Sequence, residues 1–470
     1  MKKSIMLIYI TNKEEKVMKK SALLFILPAL ILSSCGDTPV DPDPERSVNY
    51  TLGASLRKEG STKTEGYNLS FKMKDSYFDS DANEFNKDIA LLSNGKSMMV
   101  EKESTMREFY SAFGFDKVSA HYPEHTENTI QYALAHKKIG NYDLVSVAIN
   151  GHSYGLEWKN NALLGLEGDH EGFSARANDI YADLKTYVAG YENIKLWISG
   201  YSRGGAIANV LSHYIIHKEE IDVLKRDMFV YTFECPKGLD DDNAPEYSNV
   251  FNVLYSGDLV TYLSPEEYGF ARCGTDIDLY QSSLHTDEVL YEFDEDIAIP
   301  AFERCIDYND NSLYDETEQE QLESLMKYIT RDGEDTSTAA FVHTREDYVN
   351  KEQRATQTAL SIFFGLPDDI KDELVAAAKE KGASLLNSAQ EIYDLITPFL
   401  DEAHYEYDPD ELMADCEALY KLIINNAMLI VAIYMQNANA KDIMRSIDVH
   451  YPEVGYALLM DYEPVENLKS

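Results

Sequence analysis

The chain has 470 residues, 44% of them apolar and 26% charged, a composition suited to one large core plus an insertion or second domain. Its 42 Lys and Arg against 82 Asp and Glu leave a formal net charge of −40. Phosphate backbones and anionic headgroups repel such a polyanion, which argues against nucleic acid and electrostatic membrane docking, and the apolar content excludes wholesale disorder.

Met18-Lys19-Lys20 precedes a nearly all-apolar stretch from Ser21 to Leu32, and Leu32-Ser33-Ser34-Cys35 follows where a signal is cleaved. The stretch is too short to span a bilayer well. The pattern resembles a bacterial lipoprotein signal with its lipobox, the alternative being a simple secretory peptide. The resemblance implies a signal over residues 1–35, lipidation of Cys35, and a mature chain held at the cell surface or envelope, outside the cytoplasm, by that lipid alone. Residues 36–48 are too rich in Pro and Asp to bury anything and read as a flexible tether. Cys235, Cys273, Cys305 and Cys416 match no zinc spacing, and their pairing is left open. No fixed-period repeat is present.

The middle of the chain alternates as an α/β fold does. Asp143–Ile149 and Lys195–Ser199 are short apolar runs, the pattern of strands buried on both faces. Between them, Ala175–Gly190 has helical spacing and ends at a glycine. Ala206–Lys218 is a second helix, and Phe229–Phe233 and Val250–Tyr255 are further strands. This order predicts a mostly parallel sheet flanked by helices.

Gly200-Tyr201-Ser202-Arg203-Gly204 lies where the second strand meets its helix. In a G-x-S-x-G elbow the serine occupies a strained turn, and glycines are needed where side chains would collide with the neighbouring strand and helix. The strand before and the small-residue helix after make Ser202 the candidate nucleophile and Gly200 and Gly204 the elbow glycines.

Around this elbow the sequence resembles the class 3 (fungal-type) lipases and their bacterial relatives. Asn150-Gly151-His152 stands where that family has an Arg-Gly-Ser/Thr oxyanion segment, and Trp158 and Asn161 follow at familiar offsets. His170-Glu-Gly-Phe173 is similar to His-x-Gly-Phe, Thr232-Phe-Glu-Cys-Pro236 to Thr-Phe-Gly-x-Pro, and Asp258-Leu-Val-Thr-Tyr-Leu-Ser-Pro265 to Asp-x-Val-x-x-Leu-Pro-Pro. The likeness runs from about Asp143 to Gly274, more faintly from Tyr77. Asn150 replaces the usual Arg, and Arg203 the usual Leu. The resemblance implies an α/β-hydrolase fold and a lipase or esterase.

The residue types make chemical sense by themselves. A serine hydroxyl needs an imidazole to take its proton, and the imidazole needs a carboxylate to fix its tautomer. In this fold class the order is Ser, acid, His. Asp258, just past a strand, is the candidate acid, and the backbone N–H groups of His152 and Arg203 are the candidate oxyanion donors. Among the histidines after Asp258, His285 and His404 sit in acidic stretches and read as surface. His343 follows an apolar run. His450, in Asp448-Val-His-Tyr-Pro-Glu-Val-Gly-Tyr456, resembles the His-x-Pro-Glu-x-Tyr ending of bacterial members and is preferred as base, with His343 the alternative.

The expected layout is a hydrolase core over 49–311, a helical insertion over 312–442 acting as a cap, and a C-terminal return over 443–470 that carries His450. Helices are read at Glu316–Ile329, Arg354–Phe364, Asp368–Lys381, Ser384–Leu400 and Asp410–Met435, and the apolar run Leu422–Met435 reads as buried rather than spanning. The expected protein is a surface-anchored monomeric serine ester hydrolase acting on an ester or lipid, with no metal and no cofactor. The rival is an idle hydrolase-fold lipoprotein that binds a surface ligand.

Overall fold

The computed structural model describes residues 43–52, 67–123, 129–151, 158–255, 258–279, 344–351, 353–381, 388–421 and 450–462. Cys35, His152, His285, Cys305, His343, the expected helix Glu316–Ile329 and the run Leu422–Met435 lie outside them. The described residues from 45 onward belong to one compact unit, and of the preceding 1–44 only Asp43 and Pro44 are described. Among the described residues no helix is long and apolar enough to cross a membrane.

An antiparallel pair, Arg46–Leu52 (β1) and Tyr67–Met73 (β2), comes first. The tether expected over 36–48 is thereby corrected at residues 46–48. Arg46, Ser47 and Val48 already pair with β2, and Val48 is buried because its apolar side chain joins the core. Helices Lys87–Met99 (α1) and Glu103–Ala112 (α2) follow, then strands Asp116–His121 (β3), Tyr132–Ile139 (β4) and Tyr142–Ile149 (β5). The chain continues through Trp158–Asn161 (α3), Glu171–Val188 (α4), Ile194–Tyr201 (β6), Arg203–Lys218 (α5), Met228–Phe233 (β7), Leu239–Asp240 (β8), Val250–Leu254 (β9), Phe270–Ala271 (β10) and Thr275–Asp278 (β11). Beyond these stand Arg345–Lys351 (α6), Gln353–Gly365 (α7), Asp368–Lys381 (α8), Ala389–Glu402 (α9), helical residues 409–421 (α10) and Pro452–Asp461 (α11).

Among the described residues, seven strands form the main sheet in the order β11-β9-β7-β6-β5-β4-β3, so chain order runs straight across it. Every neighbour pair from β5 to β11 is parallel, while β4 is antiparallel to β5 and β3 to β4. This is the expected mostly parallel, α/β-hydrolase-like sheet with two antiparallel strands added at one edge. The side-chain period of two sorts each strand between two cores. Trp197 of β6 and Phe229, Tyr231 and Phe233 of β7 join an aromatic core with Phe71, Phe78 and Phe109. Their neighbours Leu196, Ile198 and Val230 join an aliphatic core with α4 and α5, which carries Ile180, Leu184, Val210 and Leu211. Burying each such side chain contributes about 1.5–3 kcal/mol, so a one-residue slip of β6 is strongly disfavoured.

The helix expected from Ala175 begins at Glu171, because the His170 ring caps it. The helix expected from Ala206 begins at Arg203, because Gly204 and Gly205 already lie in its first turn. The C-terminal helix α11 packs on α1, and α1 packs on the aromatic face of the sheet, with Leu458 and Leu459 fully buried. That docking returns the chain to the sheet at His450.

Within the expected insertion, α7 to α10 build their own core from Ile362, Leu366, Ile370, Ile392, Leu400 and Leu412. The insertion is clamped to the segment that leaves the C-terminal end of β5. Arg345 Nε donates to the Gly165 carbonyl at 2.7 Å, Tyr348 Oη to Ala162 at 3.1 Å and Gln357 Nε2 to Lys159 at 3.2 Å. The expected helix Ser384–Leu400 starts at Ala389 with Ser388 as its cap. Cys235, Cys273 and Cys416 are free, buried thiols.

Candidate active site

β6 ends at Tyr201, and the next residue turns at once into α5. Ser202 has φ +53° and ψ −128°, a conformation costing a residue with a side chain about 1–3 kcal/mol. Two contacts hold it there: the Ser202 N–H donates to the Phe233 carbonyl at 2.8 Å, and Ala206 N–H donates to the Ser202 carbonyl at 3.0 Å. The glycines are required by space. A Cβ on Gly200 would lie 2.2 Å from the Gly204 carbonyl oxygen, and one on Gly204 would lie 2.6 Å from that of Ile149 and 2.8 Å from the Gly151 nitrogen. The second clash shows that the chain leaving β5 passes directly against the elbow.

Asp258 follows β9 and is fully buried. Its carboxylate is fixed at both oxygens: Oδ1 accepts the Val260 N–H at 2.8 Å, capping a 3₁₀ turn over Leu259–Tyr262, and Oδ2 lies 2.6 Å from His450 Nδ1. Its backbone is pinned as well, since Asp258 N–H donates to Tyr255 C=O at 3.0 Å and Thr261 Oγ1 donates to Asp258 C=O at 2.8 Å.

His450 Nε2 lies 2.8 Å from Ser202 Oγ. Its ring stacks on Tyr201, centroids 4.9 Å apart, and its side chain keeps 16% of its surface exposed while Asp258 keeps none. Two short hydrogen bonds thus join three side chains delivered by β6, the β9 loop and the approach to α11. With Nδ1–H donated to Asp258, Nε2 is free to accept the serine proton. Burial and the Asp258 charge push the Tyr201 phenol well above its usual range, so the stacked ring stays neutral.

Arg203 is the first residue of α5, and the leading N–H groups of a helix have no intrahelical acceptor, which suits its backbone N–H to a developing negative charge beside Ser202. His152, the other expected donor, lies outside the described residues, as does His343. The position between Ser202 and Asp258 is taken by His450.

The departures and landmarks also find places. Asn150 is fully buried, and its Nδ2 donates to Gln131 Oε1 at 3.2 Å, tying the end of β5 to β4's approach. His170 is structural: Nδ1 accepts the Phe173 N–H, Nε2 donates to the Asn161 carbonyl at 3.3 Å, and burial pushes its pKa down to about 3. Sequence reasoning gave no role to Glu234, Asn94 or Tyr201. For Glu234 a signal was present, a charged residue directly after an apolar strand; the neighbours of Asn94 and Tyr201 come only from the tertiary fold.

Residues 167–268 match the family model described as Lipase (class 3). A triacylglycerol lipase of Nicotiana tabacum is 27% identical over 124 residues, 24% of this chain, and the chain spans about a fifth of that relative's length. Among solved structures, the triacylglyceride lipase of Rhizomucor miehei aligns with a TM-score of 0.32 at 15% identity, covering 42% of this chain and 82% of that one. The lipase of Rhizopus microsporus var. chinensis aligns at 0.31 and 14%, covering 52% and 80%. The match to Lipase (class 3) spans Ser202 and Asp258 and stops well before His450, so the family likeness covers the serine and the acid while the histidine rests on geometry.

Proposed function

We propose that the protein is a serine ester hydrolase of the lipase or esterase type. The observation that carries this reading is the placement of His450, 2.8 Å from Ser202 Oγ on one ring nitrogen and 2.6 Å from Asp258 on the other. Ser202 Oγ attacks the ester carbonyl carbon while its proton passes to His450 Nε2, and Asp258 stabilises the imidazolium. The tetrahedral oxyanion is held by the Arg203 N–H and, in the expected oxyanion segment, by that of His152. His450 then protonates the departing alkoxide, leaving an acyl-Ser202. Water attacks that ester with His450 again taking a proton, which it returns to Ser202 Oγ as the carboxylic acid is released. No step needs a metal or an organic cofactor.

A complete acid-to-serine chain supports hydrolysis over idle binding, and Asn150, one of the departures behind that rival, has a structural role. The insertion, clamped beside the β5 exit, is read as a cap limiting which acyl or alcohol groups reach Ser202. On the N-terminal pattern alone, Cys35 is read as the lipidated anchor of an envelope protein. Cys35→Ala is expected to release the protein without changing turnover of a soluble ester; unchanged membrane partitioning contradicts the anchor. The hydrolase reading is tested with Ser202→Ala on short soluble esters: turnover drops by about 10⁴–10⁶ with the melting temperature kept. Activity above about a tenth of wild type contradicts it.

A further inference from the structure

Glu234 stands just past the end of β7 and is 2% exposed. Its φ is +45°, in the left-handed region that glycine enters freely and a residue with a Cβ does not. A carboxyl is thus kept at a place that is unfavourable both for its backbone and for its charge. Its contacts explain why. The Glu234 N–H donates to the Val253 carbonyl at 3.0 Å, and Oε2 accepts the Tyr255 N–H at 2.8 Å, which binds the residue to the end of β9 where the acid loop begins. Tyr255 then holds Asp258, its carbonyl accepting the Asp258 N–H at 3.0 Å. On the other side Glu234 meets the helix that follows His450: a Cβ on Gly455 of α11 would come within 3.1 Å of Glu234 Oε1. Asn94 of α1 reaches the same point, 3.5 Å from that Cβ, and neither of its amide atoms has a hydrogen-bond partner among the described residues.

We propose that Glu234 is a positioning residue, acting through Tyr255 and α11 to hold Asp258 and His450 at bonding distance. This inference rests on the hydrolase reading above. The groups that act on it electrostatically fit an uncharged carboxyl. Burial first, then Asp258 and Asp278, push its pKa well above the usual range, and the Tyr255 N–H and Arg272 only partly oppose this. Tyr201, from β6, lies within its electrostatic reach and is itself raised by Glu234 and by Glu453 of α11. Protonated, Glu234 accepts the Tyr255 N–H without setting a second negative charge beside Asp258.

The test measures kcat, KM and fluorophosphonate inactivation rate for the full chain carrying E234Q, E234D or E234G. Gln keeps the acceptor at the same reach, so E234Q is expected within about threefold of wild type. Asp tolerates a left-handed backbone but is one methylene too short, and Gly relieves the backbone while removing the acceptor. Both are expected to lose about 10–100-fold in kcat and in inactivation rate with KM within about twofold, as a sub-ångström misplacement of the triad should. Wild-type kcat in E234D or E234G, or a loss in E234Q as large as theirs, overturns the proposal. A wild-type protein that neither turns over ester nor reacts with fluorophosphonate overturns the hydrolase reading itself.

Discussion

Two histidines held by carboxylates lie at opposite edges of the same sheet. His450 stands at the C-terminal edge of the parallel strands, with Asp258 on one ring nitrogen and the Ser202 hydroxyl on the other. His136, on β4, stands at the opposite edge, with Asp116 at 2.6 Å and Asp143 at 2.8 Å, and its ring is stacked on Tyr191 with centroids 4.2 Å apart. A carboxylate occupies each ring nitrogen of His136, so neither has a lone pair open to a hydroxyl proton. A hydroxyl on one nitrogen leaves that lone pair free to take a proton. The same residue type is therefore a cross-brace between β3 and β5 at one edge and a candidate base at the other, and the second partner decides which.

The largest expected effect breaks the catalytic side of this contrast. His450→Gln keeps a polar group of similar length but cannot shuttle the proton, and ester turnover should drop by about 10⁴–10⁶ with the melting temperature within a few degrees of wild type, checked by initial rates and thermal melts. Asp258→Asn should follow at about 10⁴, because an amide facing Nδ1 favours the wrong tautomer. Activity within tenfold of wild type in either variant would remove the distinction between the two histidines.

His136→Leu sharpens the other side. It leaves the buried Asp143 without one of its partners, Lys138 Nζ at 2.9 Å and the Glu192 backbone remaining, and should destabilise the fold by about 1–3 kcal/mol in urea melts while kcat of the folded protein stays within about twofold. A large loss of kcat would mean that the His136 edge takes part in catalysis.

A smaller effect is expected from pH. Burial opposes the Asp143 charge, but hydrogen bonds from His136 and Lys138 outweigh it and hold the carboxyl below its usual range. A depressed folded-state value contributes stability above the unfolded carboxylate pKa and loses it as pH falls through the folded one. Melting temperature should therefore fall on acidification below about pH 4, and less steeply in His136→Leu. Equal slopes in the two proteins would show that the brace does not carry this charge.

How much of this could be read from the residues alone follows the locality of the signal. The elbow is a local pattern, strand, glycine, serine, glycine and helix, and its residues occupy the expected turn. The parallel strands β5, β6, β7 and β9 were visible as apolar runs because both their faces are covered. Strand β4 was not, because His136, Lys137 and Lys138 break its apolar run; Lys137 is nevertheless buried, with Nζ donating to the Phe113 carbonyl at 2.7 Å. Helix α1 was hidden for the same reason. It buries Ser93, Asn94 and Lys96, and Lys96 Nζ is satisfied by Ser146 Oγ and the carbonyls of Val147 and Trp197, which the fold brings from far along the chain. His450 was preferred on a resemblance at the chain end, since the docking of α11 that carries it to Ser202 is purely tertiary.

The central claim, that His450 activates Ser202, is tested most directly by reacting the purified protein with a fluorophosphonate and mapping the modified peptide by mass spectrometry. The account predicts a single label on Ser202, formed at a rate that collapses in His450→Gln and is untouched in His136→Leu. No label, a label on another serine, or labelling of His450→Gln at the wild-type rate would contradict it.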